Sequence, residues 1–200
     1  NGTDRNGILP GDIRFKDMNG DGIVNNADGT EIGRGIPIHT GGFSNNFQYK
    51  GFDLNIFFQW SYGNNLYNSD KMFFARGKPE VNYNRFATYA DRWTPENPNS
   101  DIPRVGGWGT GVFSSYEIED GSFLRLKTVA LGYTFSNAIA KKLSARKIRV
   151  YASGQNLITW TNYSGYDPEV STKNTALTPG FDGSSYPRAY VLNVGLNFIF

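Results

Sequence analysis

Between positions 17 and 28 the chain reads Asp17-Met18-Asn19-Gly20-Asp21-Gly22-Ile23-Val24-Asn25-Asn26-Ala27-Asp28. A hard cation such as Ca2+ takes about six to eight oxygen ligands. Asp17, Asn19 and Asp21 would supply three, the backbone carbonyl of Ile23 a fourth, and Asn25 another, directly or through water. Gly22 stands where such a loop needs its sharp turn. Asp28 replaces the customary Glu at the closing position. Its shorter side chain would bind through one oxygen, which weakens affinity or favours a smaller ion. An Asx-rich turn without metal uses the same residue types. No switch element is visible nearby, so the expectation is a structural Ca2+ clip.

Other chemistry is scarce. The chain has no Cys and a single His, His39. Thiolate sites, disulfides and multi-His zinc centres are therefore excluded, and a Ser–His–Asp triad has little to build on. Asp167 with Glu169, and Glu117, Glu119 with Asp120, are the carboxylate clusters. A glycosidase needs two carboxyls flanking a sugar bond in a cleft, and nothing in the sequence singles out such a pair. They are expected to be solvated or hydrogen-bonded loop carboxylates, and the chain is not expected to be an enzyme. His39 is expected in a lumen or loop, without a chemical role. The run Gly106–Gly111 lacks the strand, helix and Lys of a phosphate loop. A net charge of +2 gives no footprint for nucleic acid.

The elements that carry these residues read as strands. Aromatic residues make up 16% of the chain and Gly numbers 24, yet the average residue is polar. That combination suits strands with one apolar and one wet face joined by long polar loops. In Phe52–Tyr62 the even positions are Phe, Leu, Ile, Phe, Trp and Tyr, and the odd ones Asp, Asn, Phe, Gln and Ser. Successive side chains of a strand point to opposite faces, so one face is wholly apolar. The run is as long as the roughly 9–11 residues a tilted strand needs to cross a bilayer. Residues 188–200 repeat the pattern, with Tyr190, Leu192, Val194, Leu196, Phe198 and Phe200 on one face. Further strands are expected at 42–49, 122–135 and 148–160. The first half of 122–135 breaks phase, which predicts a bulge or an extension beyond the bilayer.

Tyr49-Lys50-Gly51-Phe52 reads as a tight hairpin turn and 136–147 as a fairly short connection, whereas 63–120 and 161–187 are long. Alternation of short turns and long loops is the habit of outer-membrane barrels, and it puts the long loops outside and Phe200 on the periplasmic side. Trp60, Tyr62 and Trp160 would then mark one membrane interface. The fold class expected is all-β, the C-terminal strands of a transmembrane antiparallel barrel. A soluble sandwich shows the same alternation, so a secreted, calcium-stabilised β-domain that binds carbohydrate or protein is the alternative. Residues 1–40 read as a loop entered midway, so the chain is expected to be a fragment whose plug and remaining strands lie elsewhere.

Several runs together resemble the SusC/RagA type of TonB-linked outer-membrane proteins of Bacteroidetes. They are Pro10–Gly22, Thr40–Leu54, Arg92–Pro98, Ile118–Lys127, Val150–Leu157 and Gly165–Glu169, in that family's order. The resemblance implies the last strands of a plugged, 22-stranded barrel, import of oligosaccharides or peptides energised through TonB, and a SusD-like lipoprotein lid. The Asp-rich loop also resembles those of EF-hands and dockerins, but Gly29–Gly35 cannot make the helix that follows there, and no second copy appears. Trp108, Tyr116, Tyr163 and Tyr166 are the aromatics put forward for contact with cargo or lid, since ring faces stack on sugars and fill pockets. Packing of loop against loop would use the same rings. Phe73, Phe74, Phe86 and Tyr89 fall in a stretch, 70–93, that could include helix, and are expected to pack it.

Overall fold

Alternation over positions 39–62 produces a hairpin. The computed structural model describes residues 8–74, 84–109, 111–173, 175 and 177–200. The opening segment 1–7 and Thr110 of the Gly-rich run lie outside the described residues. Strands β1 (His39–Tyr49) and β2 (Phe52–Tyr62) pair antiparallel in unbroken register, from Tyr49 opposite Phe52 to His39 opposite Tyr62. Lys50 and Gly51 both have positive φ, 45° and 89°, as a two-residue hairpin turn twisted to match its strands requires.

The chain forms two compact units. One comprises Ile36–Asn64, Asp120–Glu169 and Tyr186–Phe200. It contains β1, β2, β5 (Phe123–Thr134), β6 (Lys147–Thr161) and β8 (Val191–Ile199) in one antiparallel sheet, ordered β1-β2-β5-β6-β8. The sheet is open, with β1 and β8 at its edges. β1 starts three residues before the expected 42. The last strand occupies only 191–199 of the expected 188–200. Short helix α2 (Asn137–Lys142) closes the β5–β6 connection, where Ala140, Ala145 and Ile148 are buried and Phe135 packs on them.

The other unit comprises Asn1–Gly35, Asn65–Glu119 and Val170–Ser185. Strands β3 (Asn65–Asn68), β4 (Ile118–Asp120) and β7 (Phe181–Asp182) make a small sheet ordered β4-β3-β7, in which β3 and β7 run parallel. Helix α1 (Ser69–Phe74) follows β3, and a 3-10 turn covers Ala87–Asp91. Phe74 and Phe86 pack ring on ring at 5.5 Å.

The phase break in β5 is a bulge. Phe57 pairs with Thr128 and Phe58 with Leu126, so Lys127 is the extra residue, and β6 accommodates it with Asn156 and Leu157. Asn156 takes a left-handed φ of 54°. The bulge reverses the parity of β5. Val129, Leu131 and Tyr133 lie on the apolar face beyond it and Leu124 and Leu126 before it, which turns Arg125 to the polar face beside Gln59 and Thr159.

That apolar face stays bare among the described residues. Phe43, Phe47, Phe52, Leu124, Leu131, Trp160, Leu192, Leu196 and Phe198 are all exposed, and Val194 is 87% exposed. A soluble sandwich would bury such a face against a second sheet, and here no such sheet covers it.

Candidate functional site

The polar face of the large sheet is an organised wall. Asn55 donates to Asn46 at 2.7 Å and to Ser44 at 3.4 Å across β1 and β2. Arg149 on β6 reaches over β5 to Asp53 on β2, with its Nη2 2.5 Å and its Nε 3.1 Å from the carboxylate oxygens. Gly132 of β5 makes this crossing feasible. A Cβ there would overlap the Arg149 guanidinium and lie 2.6 Å from an Asp53 oxygen. An open cleft of about 620 Å3 lies alongside, lined by Gln48, Asp53, Asn55, Thr134, Lys147 and Arg149. Asp167 and Glu169 are neither a catalytic pair nor free in solvent. Both bind Arg125 of β5.

At the far end of the same sheet the Trp60 indole N–H donates to His39 Nδ1 at 3.1 Å, and the His39 ring stacks on Tyr62 at 5.2 Å. His39 therefore belongs to the aromatic rim of the apolar face, not to a lumen or loop as expected. Sequence reading missed this because Gly41 and Gly42 weaken the strand signal that would have assigned the residue a face.

In the unit that holds the small sheet, the Asp-rich loop is wound around its own side chains. Asp17 accepts the N–H groups of Gly20 at 2.7 Å and Gly22 at 2.9 Å, Asn19 accepts that of Asp21, and Asp21 that of Ile23. Asn25 caps the turn Asn26–Asp28 through the N–H of Ala27. Asp28 closes the loop by accepting from Met18 and Asn25, at 2.8 and 2.7 Å, and its carboxyl meets that of Asp17. Backbone donors, that of Asn25 foremost, hold the Asp28 carboxyl below its usual range. A lowered carboxyl keeps its contribution above the ordinary value of about 3.9 and loses it as the pH falls through the lowered one. Two carboxyls meeting in one loop suit a cation. Among the described residues, however, no three Asp, Glu or His side chains are grouped to hold a metal. A cation here would rest on mixed oxygens from Asp17, Asn19, Asp21, Asn25 and the Ile23 carbonyl, with Asp28 committed largely to closing the loop.

Just before this loop, Asp12 ties two distant segments together. It accepts from Arg104 Nε at 2.6 Å and from the N–H groups of Leu9 and Trp108 at 2.8 and 3.0 Å. Burial pushes the Asp12 carboxyl up, and these donors outweigh it, so it stays below its usual range. Trp108 meets Phe15 edge to face at 5.3 Å. With Met18, Val24, Ile32 and Phe113 they line a groove of about 750 Å3. The four aromatic contact candidates divide between the two units. Trp108 lines this groove, and Tyr116 lies under the ammonium of Lys71 at 4.5 Å. Tyr163 and Tyr166 belong to the unit of the five-stranded sheet, the first buried against Gly165 and the second 65% exposed.

No family model matches the chain. Among curated proteins it is 39% identical, over 95% of its length, to TonB-dependent receptor P26 of Formosa agariphila, of which it covers 20%. It is 31% identical, over 98% of its length, to TonB-dependent receptor SusC of Bacteroides thetaiotaomicron, of which it covers 18%. Among solved structures it superposes on the RagAB peptide transporter with a TM-score of 0.69 at 29% identity, covering 82% of this chain and 17% of that one. The chain spans about a fifth of the curated relatives it matches.

Proposed function

The chain belongs to the TonB-dependent receptors of the SusC/RagA type, which are outer-membrane proteins and not enzymes, and from that premise we propose that it supplies strands and outer loops to a barrel that imports oligosaccharides or peptides. The observation that carries this reading is the bare apolar face of the five-stranded sheet opposite a wall of paired polar side chains. A bilayer outside and water inside satisfy both faces, and a closed barrel pairs every backbone group between strands, the edges β1 and β8 included. The short turns after β1 and β5 face the periplasm in this arrangement, and 63–120 and 161–187 face outward. A SusD-like lipoprotein seats over the mouth, and TonB energises import through sequence outside this chain. Labelled oligosaccharides and peptides offered to cells carrying the full-length receptor are expected to accumulate only while TonB is present. Uptake that persists unchanged without TonB, or no uptake of either class, would contradict the importer.

The loop Asp17–Asp28 serves as a Ca2+ clip on the outer side, held by Asp17, Asn19, Asp21, Ile23, Asn25 and one oxygen of Asp28. Its role is structural, since it holds its own turn closed. Titration calorimetry of the receptor with Ca2+ is expected to show a binding event that Asp17→Ala and Asp21→Ala each remove. A wild-type receptor that takes up no ion would end this assignment.

A further inference from the structure

One cluster on the polar wall has a role that import as such does not explain. Arg125 is 2% exposed, and every arm of its guanidinium is engaged. Nε donates to Thr159 Oγ1 at 2.9 Å, Nη1 to Glu169 at 3.0 Å and Nη2 to Asp167 at 2.6 Å, and the group lies 5.3 Å above the Phe123 ring. Lys127, Arg188 and Gln59 also reach Glu169, at 3.5, 3.3 and 3.5 Å. Three cations thus surround two carboxylates. A buried carboxylate is tolerated only with such partners, so the segment carrying Asp167 and Glu169 is held to the wall by charge.

The segment is also rigid in itself. Asp167 Oδ1, which binds Arg125, accepts the Glu169 N–H at 2.9 Å as well, and Pro168 between them fixes the backbone. Directly before this turn stands Tyr166, 65% exposed. It borders a recess of about 170 Å3 with Asn156, Thr159, Thr161, Asp167 and Arg188. The recess is lined by the hydroxyl residues Thr159 and Thr161 and by Arg188 beside an aromatic residue, which suits a neutral polar unit with one apolar side, such as a sugar ring or a peptide unit.

Building on the importer reading, we propose that Arg125 is a positioning residue for cargo. It sets Tyr166 over this recess so that ring and recess bind one cargo unit together. Arg125 touches no cargo, so its loss acts through Tyr166.

The test measures uptake against cargo concentration in the full-length receptor, with sugar and peptide cargoes in separate arms. Arg125→Met is expected to raise the half-saturating concentration roughly tenfold, with the maximal rate kept. Tyr166→Ala should do the same, and the double variant should be no worse than either single one, because both changes remove one contact. Arg125→Lys should recover part of the affinity, since an ammonium lacks the planar fork. If Arg125→Met fails to assemble, Glu169→Gln is expected to shift half-saturation in the same direction, again without further effect in a Tyr166→Ala background. Effects that multiply in the double variant, or that fall on the maximal rate alone, would overturn the proposal. So would an unchanged half-saturation in Glu169→Gln. A wild-type receptor that imports neither cargo class refutes the importer instead. Arg125 is then read from a spin label at position 166, which is expected to be immobile in the wild type and mobile in Arg125→Met. Equal mobility in both would refute the positioning role.

Discussion

Replacing Val194 with Arg is expected to block stable assembly of the receptor in the outer membrane, whereas replacing its neighbour Asn193 with Arg leaves assembly intact. The two residues are adjacent on β8 and pair with Ala152 and Ser153 of β6. They differ only in face. Val194 is 87% exposed on the apolar side, so the added side chain meets no steric obstacle, and any penalty comes from the medium outside. In water that penalty is close to nothing. At the lipid face of a barrel an Arg near the midplane costs about 2–4 kcal/mol. The measurement is heat-modifiable migration of the two variants extracted from outer membranes, supported by urea midpoints in vesicles. Equal assembly of both variants would mean that the apolar face does not meet lipid.

A second large effect is expected at a residue that has no side chain. Gly132→Val should destabilise the barrel by about 2–3 kcal/mol, chiefly through overpacking, and should separate Arg149 from Asp53. Arg149→Met alone removes a pair that is about one-third exposed on both sides and should cost less, because solvent screens such a pair. The glycine is therefore expected to matter more than the charge whose path it clears. Urea unfolding of both variants in lipid vesicles decides the order. A Gly132→Val receptor as stable as wild type would show that Arg149 need not cross β5.

These two sites mark what the sequence makes legible and what it does not. The face of Val194 follows from parity along a single strand, because side chains alternate regardless of which strands are neighbours. The role of Gly132 depends on register. Asp53 and Arg149 lie far apart in sequence and on strands separated by a third, and only the pairings β2–β5 and β5–β6 bring them together. Arg125 shows an intermediate case. A break of phase after residue 122 is visible in the sequence, but the residue that absorbs it is not. Until Lys127 is known to be the extra residue, Arg125 can be assigned to either face. The partners of Asp167 and Glu169 were hidden for the same reason.

The small sheet escaped sequence reading on other grounds. Strands of two to four residues such as β3, β4 and β7 carry no periodicity. Their stability comes from burial of Leu66 and of polar groups such as Asn68, Asp70, Glu117 and Asp182, a pattern that no apolar alternation announces. The Asp-rich loop is the opposite case, because its hydrogen bonds run between residues two to ten positions apart. Its geometry is therefore local enough to be anticipated from spacing.

The most direct test of the membrane-facing sheet scans single cysteines through 52–62 in the reconstituted receptor, a strand where this chain supplies no cysteine of its own. Each carries a nitroxide label, and collision rates are compared for oxygen, which concentrates in lipid, and for a water-soluble nickel chelate. The expected result is a period of two, with oxygen dominant at 54, 56, 58 and 60 and the chelate dominant at 53, 55, 59 and 61. Collision rates without alternation, or with even positions shielded from oxygen by protein, would contradict it.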